Sequence, residues 1–142
     1  MRRWGSAVAA ALVTALAAAA PAPAADEATR LAKARERWAV QDALDYTFRI
    51  QVRCFCPRRD PVRIRVRDGR PRGTPQRLRA FDTIEELFAR IGDELDRGGD
   101  PGARYAARTG APRSFDADPL PRAIDDEYAV TVRKLRITRP RD

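Results

Sequence analysis

The chain has 142 residues, a formal charge of +8 and no histidine. Its length suits one ordinary domain with a modest core. The missing histidine excludes Ser-His-Asp and Cys-His catalysis and any histidine-ligated metal site.

Residues 1–24 read as a cleavable secretory signal peptide. Arg2 and Arg3 supply the positive start, Ala7 to Ala20 the apolar run, and Ala22-Pro23-Ala24 the small-residue exit before Asp26 and Glu27. The expected cut follows Ala24, with Ala25 nearly as good. The apolar run is about 14 residues, short of the roughly 20 that a spanning helix needs, so no transmembrane segment is expected to remain. A lipid anchor would need a cysteine just after the cut, and the first is Cys54. Residues 25–142 are then one exported domain, periplasmic or secreted, with an ordered core over about 28–138. Losing Arg2 and Arg3 lowers the charge from +8 to +6. Nine arginines lie between Arg49 and Arg72 against Asp60 and Asp68, so that segment carries +7 and the rest of the exported chain −1.

Ala28 to Trp38 is predicted as a helix, with Leu31, Ala34 and Trp38 on one face. Tyr46 to Cys56 is the clearest strand. Tyr46, Phe48, Ile50, Val52, Cys54 and Cys56 alternate with Thr47, Arg49, Gln51 and Arg53. Val62, Ile64 and Val66 alternate with Arg63, Arg65 and Arg67 in a second strand, and Pro57 to Pro61 is short enough to join a hairpin. Asp68-Gly69 is a turn, and any third strand after it is weak because of Pro71, Gly73 and Pro75. Thr83 and Glu86 fit a capping box for a second helix with a stripe of Ile84, Leu87, Phe88, Ile91 and Leu95, stopped by Gly98-Gly99. Ala103 to Ala107 and Arg113 to Asp116 read as short strands. The last strand runs from Tyr128 to Ile137. Val130 and Val132 face inward there, and Leu135 and Ile137 fall on the other parity, so a bulge or twist is expected near Arg133. Core candidates are Trp38, Phe48, Phe81, Phe88 and Phe115. The order α-β-β-(β)-α-β-β-β, with no crossover that demands parallel pairing, predicts an α+β fold: a small antiparallel sheet with two helices packed on one face.

These landmarks, in order, resemble a family of small exported bacterial proteins, domain of unknown function 6174. The pattern is Trp38 on the first helix, Tyr46 and Phe48, Cys54 and Cys56, and Ile64 to Gly69. It continues with Thr83 to Phe88, Tyr105, Gly110 to Pro112, Asp116 or Asp118, and Asp126-Glu127. Ala106 and Ala111 depart from it, standing where the family has an Asp and an aromatic. Trp38, Tyr46, Phe48 and Phe88 are expected as structural core. The resemblance implies export and a single domain. It implies no activity or site.

Three features carry chemistry. The first is Cys54 and Cys56. Outside the cytoplasm two such thiols are expected to be oxidised. Residues i and i+2 of a strand lie about 6.6 Å apart, near the upper limit for a disulfide, so a local bridge needs a bend at Phe55. The readings are a structural disulfide pinning a bulge, a redox-active pair whose thiolate Arg53, Arg58 and Arg59 favour, or a reduced or intermolecular pair. Two thiols without histidine make a poor metal site, and neither metal nor cofactor is expected. The second feature is the arginine face of Arg49, Arg53, Arg63, Arg65 and Arg67, with Arg58 and Arg59 at the hairpin tip. It reads either as a polyanion-contact surface or as a solvated strand face in an arginine-rich chain. Candidate partners are an anionic envelope component or another exported protein. Export and the single aromatic Phe55 argue against nucleic acid. The third is the acidic cluster Asp116, Asp118, Asp125, Asp126 and Glu127, which reads as turn capping and pairing with Arg113, Arg122 or Arg133, against cation binding or acid–base chemistry.

The functional expectation is a non-enzymatic extracytoplasmic binding or interaction domain. The alternatives are a thiol-disulfide redox protein using Cys54 and Cys56, and an inhibitor of an exported enzyme.

Overall fold

In the computed structural model the described residues are 22–54, 57, 60–119 and 126–139. Helix α1 spans Ala22–Ala39 and α2 spans Ile84–Asp96. The strands are β1 Tyr46–Cys54, β2 Val62–Arg67, β3 Arg70–Pro71, β4 Arg104–Tyr105, β5 Pro112–Ala117 and β6 Tyr128–Ile137. They form one sheet in the order β3-β2-β1-β6-β5-β4, and every neighbouring pair is antiparallel. The α+β expectation holds.

The period-two pattern of β1 and β2 decides which face is covered. Tyr46, Phe48 and Ile50 of β1, with Ile64 and Val66 of β2, are buried with Leu31, Ala34 and Trp38 of α1 and Leu87, Phe88 and Ile91 of α2. Each such buried large side chain contributes about 1.5–3 kcal/mol. A short 3₁₀ helix, Gln76–Phe81, seats Leu78 in the same core. The sequence gives that segment no periodicity, because one anchor makes no repeat. Of the aromatic core candidates, Trp38, Phe48, Phe88 and Phe115 are buried. Phe81 is half-buried, edge-on to Tyr128 and under the Arg90 guanidinium.

The start of α1 differs from the sequence reading. Helix α1 starts at Ala22, six residues before Ala28. Glu27, 6% exposed, belongs to its buried side. Glu27 Oε1 accepts the Ala103 N–H at 3.2 Å, and Oε2 pairs with Arg30 at 2.6 Å. A charged residue breaks an apolar pattern even when it is buried and paired. Strand β1 is described to Cys54, and Phe55, Cys56, Arg58 and Arg59 lie outside the described residues.

The local signals behaved as their chemistry requires. Thr83 Oγ1 accepts the Glu86 N–H at 3.1 Å and caps α2. Asp68 (φ 51) and Gly69 (φ 68) both take the left-handed conformation of a tight hairpin turn between β2 and β3. In β6, Lys134 has φ 54, and the pairing with β1 slips between Thr47 and Arg49. This is the bulge expected near Arg133. It resets the alternation, so Leu135 and Ile137 pack against the same core as Val130 and Val132.

A polar junction joins the layers. Trp38 Nε1 donates to Glu85 Oε1 at 2.6 Å, and the Tyr46 hydroxyl donates to Glu85 Oε2 at 2.9 Å. The same hydroxyl accepts the Ile84 N–H at 3.1 Å. Burial holds the Tyr46 hydroxyl far above the ordinary tyrosine pKa; the Ile84 N–H opposes the shift, and the Glu85 and Asp82 carboxylates add to it. Burial, with Glu27 nearby, pushes Tyr105 up to about 12, and burial also raises Tyr128. The unfolded chain sheds these protons near pH 10 while the folded chain keeps them. That stability is therefore complete below a pH of about 10 and is lost as pH climbs above it. In a spectroscopic alkaline titration, no phenolate should appear until the protein unfolds, and Tyr46→Phe should make the loss of stability with pH shallower. Phenolate forming near pH 10 in the folded protein contradicts this.

Candidate anion-binding face

On β1, the side chains between the core positions point away from both helices. Cross-strand pairing places them beside residues of β2 and β6. Thr47 stands between Arg65 of β2 and Arg136 of β6, and Arg49 stands between Arg63 and Arg133. Two parallel rows result, Arg65–Thr47–Arg136 and Arg63–Arg49–Arg133. All five arginines are exposed, while Thr47 at their centre is only 9% exposed. Arg53 continues the face at the end of β1, opposite Ala129.

None of Arg49, Arg53, Arg63, Arg65, Arg133 or Arg136 forms an ion pair among the described residues. Arg67 differs. It shares the parity of Arg63 and Arg65 but is half-buried, and its Nη1 lies 3.8 Å from Asp45 Oδ2. Four of the five predicted arginines thus stand free on the face, and the fifth is tied to the linker before β1. Arg133 and Arg136 were missed because strand pairing across the chain brings them in. Their signal was the broken alternation of β6, read for its bulge and not for its charge.

Like charges directly opposite each other on a sheet are destabilising. Arg49 meets that arrangement on both sides. No described element covers this face, so water and salt screen the repulsion. Asp116 of β5 lies opposite Ala129 and not opposite an arginine.

The other singled-out residues lie elsewhere. Cys54 ends β1, exposed and opposite Tyr128, and Cys56 lies outside the described residues. Trp38, Tyr46, Phe48 and Phe88 are core, with Trp38 edge-on to Tyr46 at 5.4 Å and Tyr46 stacked on Phe48 at 6.1 Å. Glu85, which binds both Trp38 and Tyr46, was not singled out, since no spacing rule says which glutamate of a helix reaches across to another layer. Among the described residues the pairing expected of the acidic cluster is absent. Asp116, Asp118, Asp126 and Glu127 form no ion pair with Arg113 or Arg133 among the described residues. Asp118 instead donates its backbone N–H to Glu94 at 3.2 Å. Asp125 and Arg122 lie outside the described residues. No group of three or more acidic or cysteine side chains among the described residues could hold a metal ion.

The sequence matches a family of unknown function, DUF6174, over residues 30–137. The chain belongs to this family. The match runs from α1 to the last residue of β6, so both rows of the DUF6174 protein's arginine face fall inside it. No curated protein and no solved structure matches the chain. No described helix is long and apolar enough to cross a membrane.

Reversing the central charge tests the electrostatics of the face. Arg49→Glu replaces two repulsive neighbours with two attractive ones and should stabilise the fold by about 0.5–2 kcal/mol at low salt, shrinking as salt is added. Thermal melts across a salt series measure it, and a destabilised variant with no salt dependence contradicts the arrangement.

Proposed function

We propose that this DUF6174 protein is an exported, non-enzymatic binding module whose open sheet face docks on phosphate-rich anionic material of the cell envelope. The observation that carries the reading is the pair of arginine rows, exposed and without acidic partners among the described residues. Arginine suits phosphate because its guanidinium presents a planar fork of donors that stays charged at any physiological pH. Several such groups on one rigid sheet bind additively to a polyanion and respond steeply to salt. Export rests on the Arg2-Arg3 start, the Ala7 to Ala20 run and the Ala22-Pro23-Ala24 exit. A cut after Ala24 trims the first residues of α1 but leaves Glu27, whose carboxylate anchors Ala103.

The purified exported form should be retained on a heparin-type matrix and on vesicles rich in anionic phospholipid, and should elute with moderate salt. Arg63→Glu combined with Arg65→Glu should abolish retention without lowering the melting temperature. Unchanged retention would reduce the face to solvation.

A second reading is favoured by one observation: Cys54 is exposed at the end of β1 beside exposed Arg53. In this reading Cys54 and Cys56 are a thiol-disulfide redox pair, whereas the binding reading makes them a local structural disulfide. Thiol trapping with mass spectrometry on the exported protein separates the two. The binding reading expects a mass lower by two protons' worth of hydrogen and resistance to mild reductant. Ready, reversible reduction transfers the case to redox chemistry.

A further inference from the structure

Strand β6 is longer than its partner on the outer side. Strand β5 pairs with it only from Ser114↔Thr131 to Ala117↔Tyr128. Two residues beyond Ser114 toward the open half, β5 begins at Pro112, and proline has no N–H to continue the ladder. Beyond Thr131 the β5 side of β6 is therefore an open edge. The Thr138 N–H points the other way, to Asp45 O at 2.8 Å on the β1 side. Strand alternation then turns the N–H groups of Leu135 and Ile137 toward the open edge.

A cleft of about 500 Å³ occupies this gap. Its walls are the open edge at Leu135, Arg136 and Ile137, the turn residues Arg108 and Thr109, Gln41 beyond the end of α1, and Arg139. The fold keeps the turn close to α1. Gly110 has φ 77, and a Cβ there would collide with the Ala34 carbonyl oxygen and press on Arg37 Cβ. Only glycine lets the turn approach the helix and leave Arg108 and Thr109 beside β6.

The lining is one-sided in charge. Among the described residues, Arg108, Arg136 and Arg139 face it, no acidic residue does, and none of the three forms an ion pair. Thr109 Oγ1 accepts the Ala111 N–H at 3.3 Å, which leaves its own proton to donate. Leu135 and Ile137 supply apolar surface beside these donors. A volume of this size holds a small molecule and exceeds one bare ion.

We infer that this cleft is a discrete binding site for a phosphate group carried on a small or partly apolar body. Arg108, Arg136 and Arg139 neutralise the phosphate, and Thr109 and the edge amides of β6 complete its donor shell. The inference deepens the polyanion reading and rests on it at Arg136, which belongs to both surfaces. It differs in being saturable, with one site per chain.

Pyrophosphate is the probe, titrated calorimetrically into the exported protein in a low-salt buffer free of phosphate and sulfate. Saturable binding at one site per chain is expected. Arg108→Ala and, independently, Arg139→Ala should weaken it about tenfold or more, while Arg63→Glu/Arg65→Glu should change it by less than about threefold. Both single substitutions are at exposed positions, and circular dichroism checks that each variant folds. In the Arg63→Glu/Arg65→Glu background, vesicles containing phosphatidic acid separate the sources. Pyrophosphate-sensitive vesicle binding supports a lipid phosphate, and absence of vesicle binding alongside intact pyrophosphate binding supports a soluble phosphate compound. Non-saturable binding, equal loss in the Arg108 and Arg63/Arg65 variants, or capture of an acidic extended peptide with no pyrophosphate binding overturns the site. Wild-type retention on heparin with no pyrophosphate binding overturns the cleft alone. Pyrophosphate binding with no heparin retention overturns the open face alone.

Discussion

The Glu85 carboxylate, on the first turn of α2, receives one hydrogen bond from Trp38 of α1 and one from Tyr46 of β1. Tyr46 in turn takes the Ile84 N–H, one of the donors that a helix start leaves unpaired. Three elements meet at one charged group, placed where the helix dipole favours negative charge. Hydrogen bonds to charged groups contribute about 1.5–3 kcal/mol each, more than neutral ones. The junction also sets orientation. It holds α1 and α2 together over the inner side of the sheet, so the outer side of β1 and β2 is left uncovered and can carry arginines.

The second constraint lies in β6. Its first half must bury Val130 and Val132, and its second half must bury Leu135 and Ile137, on opposite parities of one strand. The bulge at Lys134 reconciles them. It also decides where charge goes. On either side of the slip, Arg133 comes to stand opposite Arg49 and Arg136 opposite Thr47, so both enter the face that β1 and β2 already form. The same half-strand runs past the end of β5 and leaves the edge on which the cleft is built. One inserted residue thus serves the core, the arginine rows and the cleft together.

Much of the architecture was legible because its signals are local. The alternation in Tyr46 to Val52 and Val62 to Val66, the Thr83 cap, the Asp68-Gly69 turn and the parity break in β6 each occupy a few adjacent residues, and each requires one backbone conformation. The 3₁₀ segment, the early start of α1 and the roles of Glu27 and Glu85 were not legible. Glu27 and Glu94 are buried, and beside their local partners Arg30 and Arg97 they bind the backbone N–H groups of Ala103 and Asp118, from distant parts of the chain.

The sequence by itself determined the fold class, the sheet's two-sided character and the excess of arginine on the first hairpin, because period-two patterning and turn chemistry are properties of neighbours. It also carried the family membership over residues 30–137. Only the tertiary structure decided which arginines stand together. Cross-strand pairing added Arg133 and Arg136 and drew Arg67 aside to Asp45, and the unequal lengths of β5 and β6 placed Arg108, Arg136 and Arg139 around one cleft. Those neighbours are far apart along the chain, and strand register, not spacing, brings them within reach of one another.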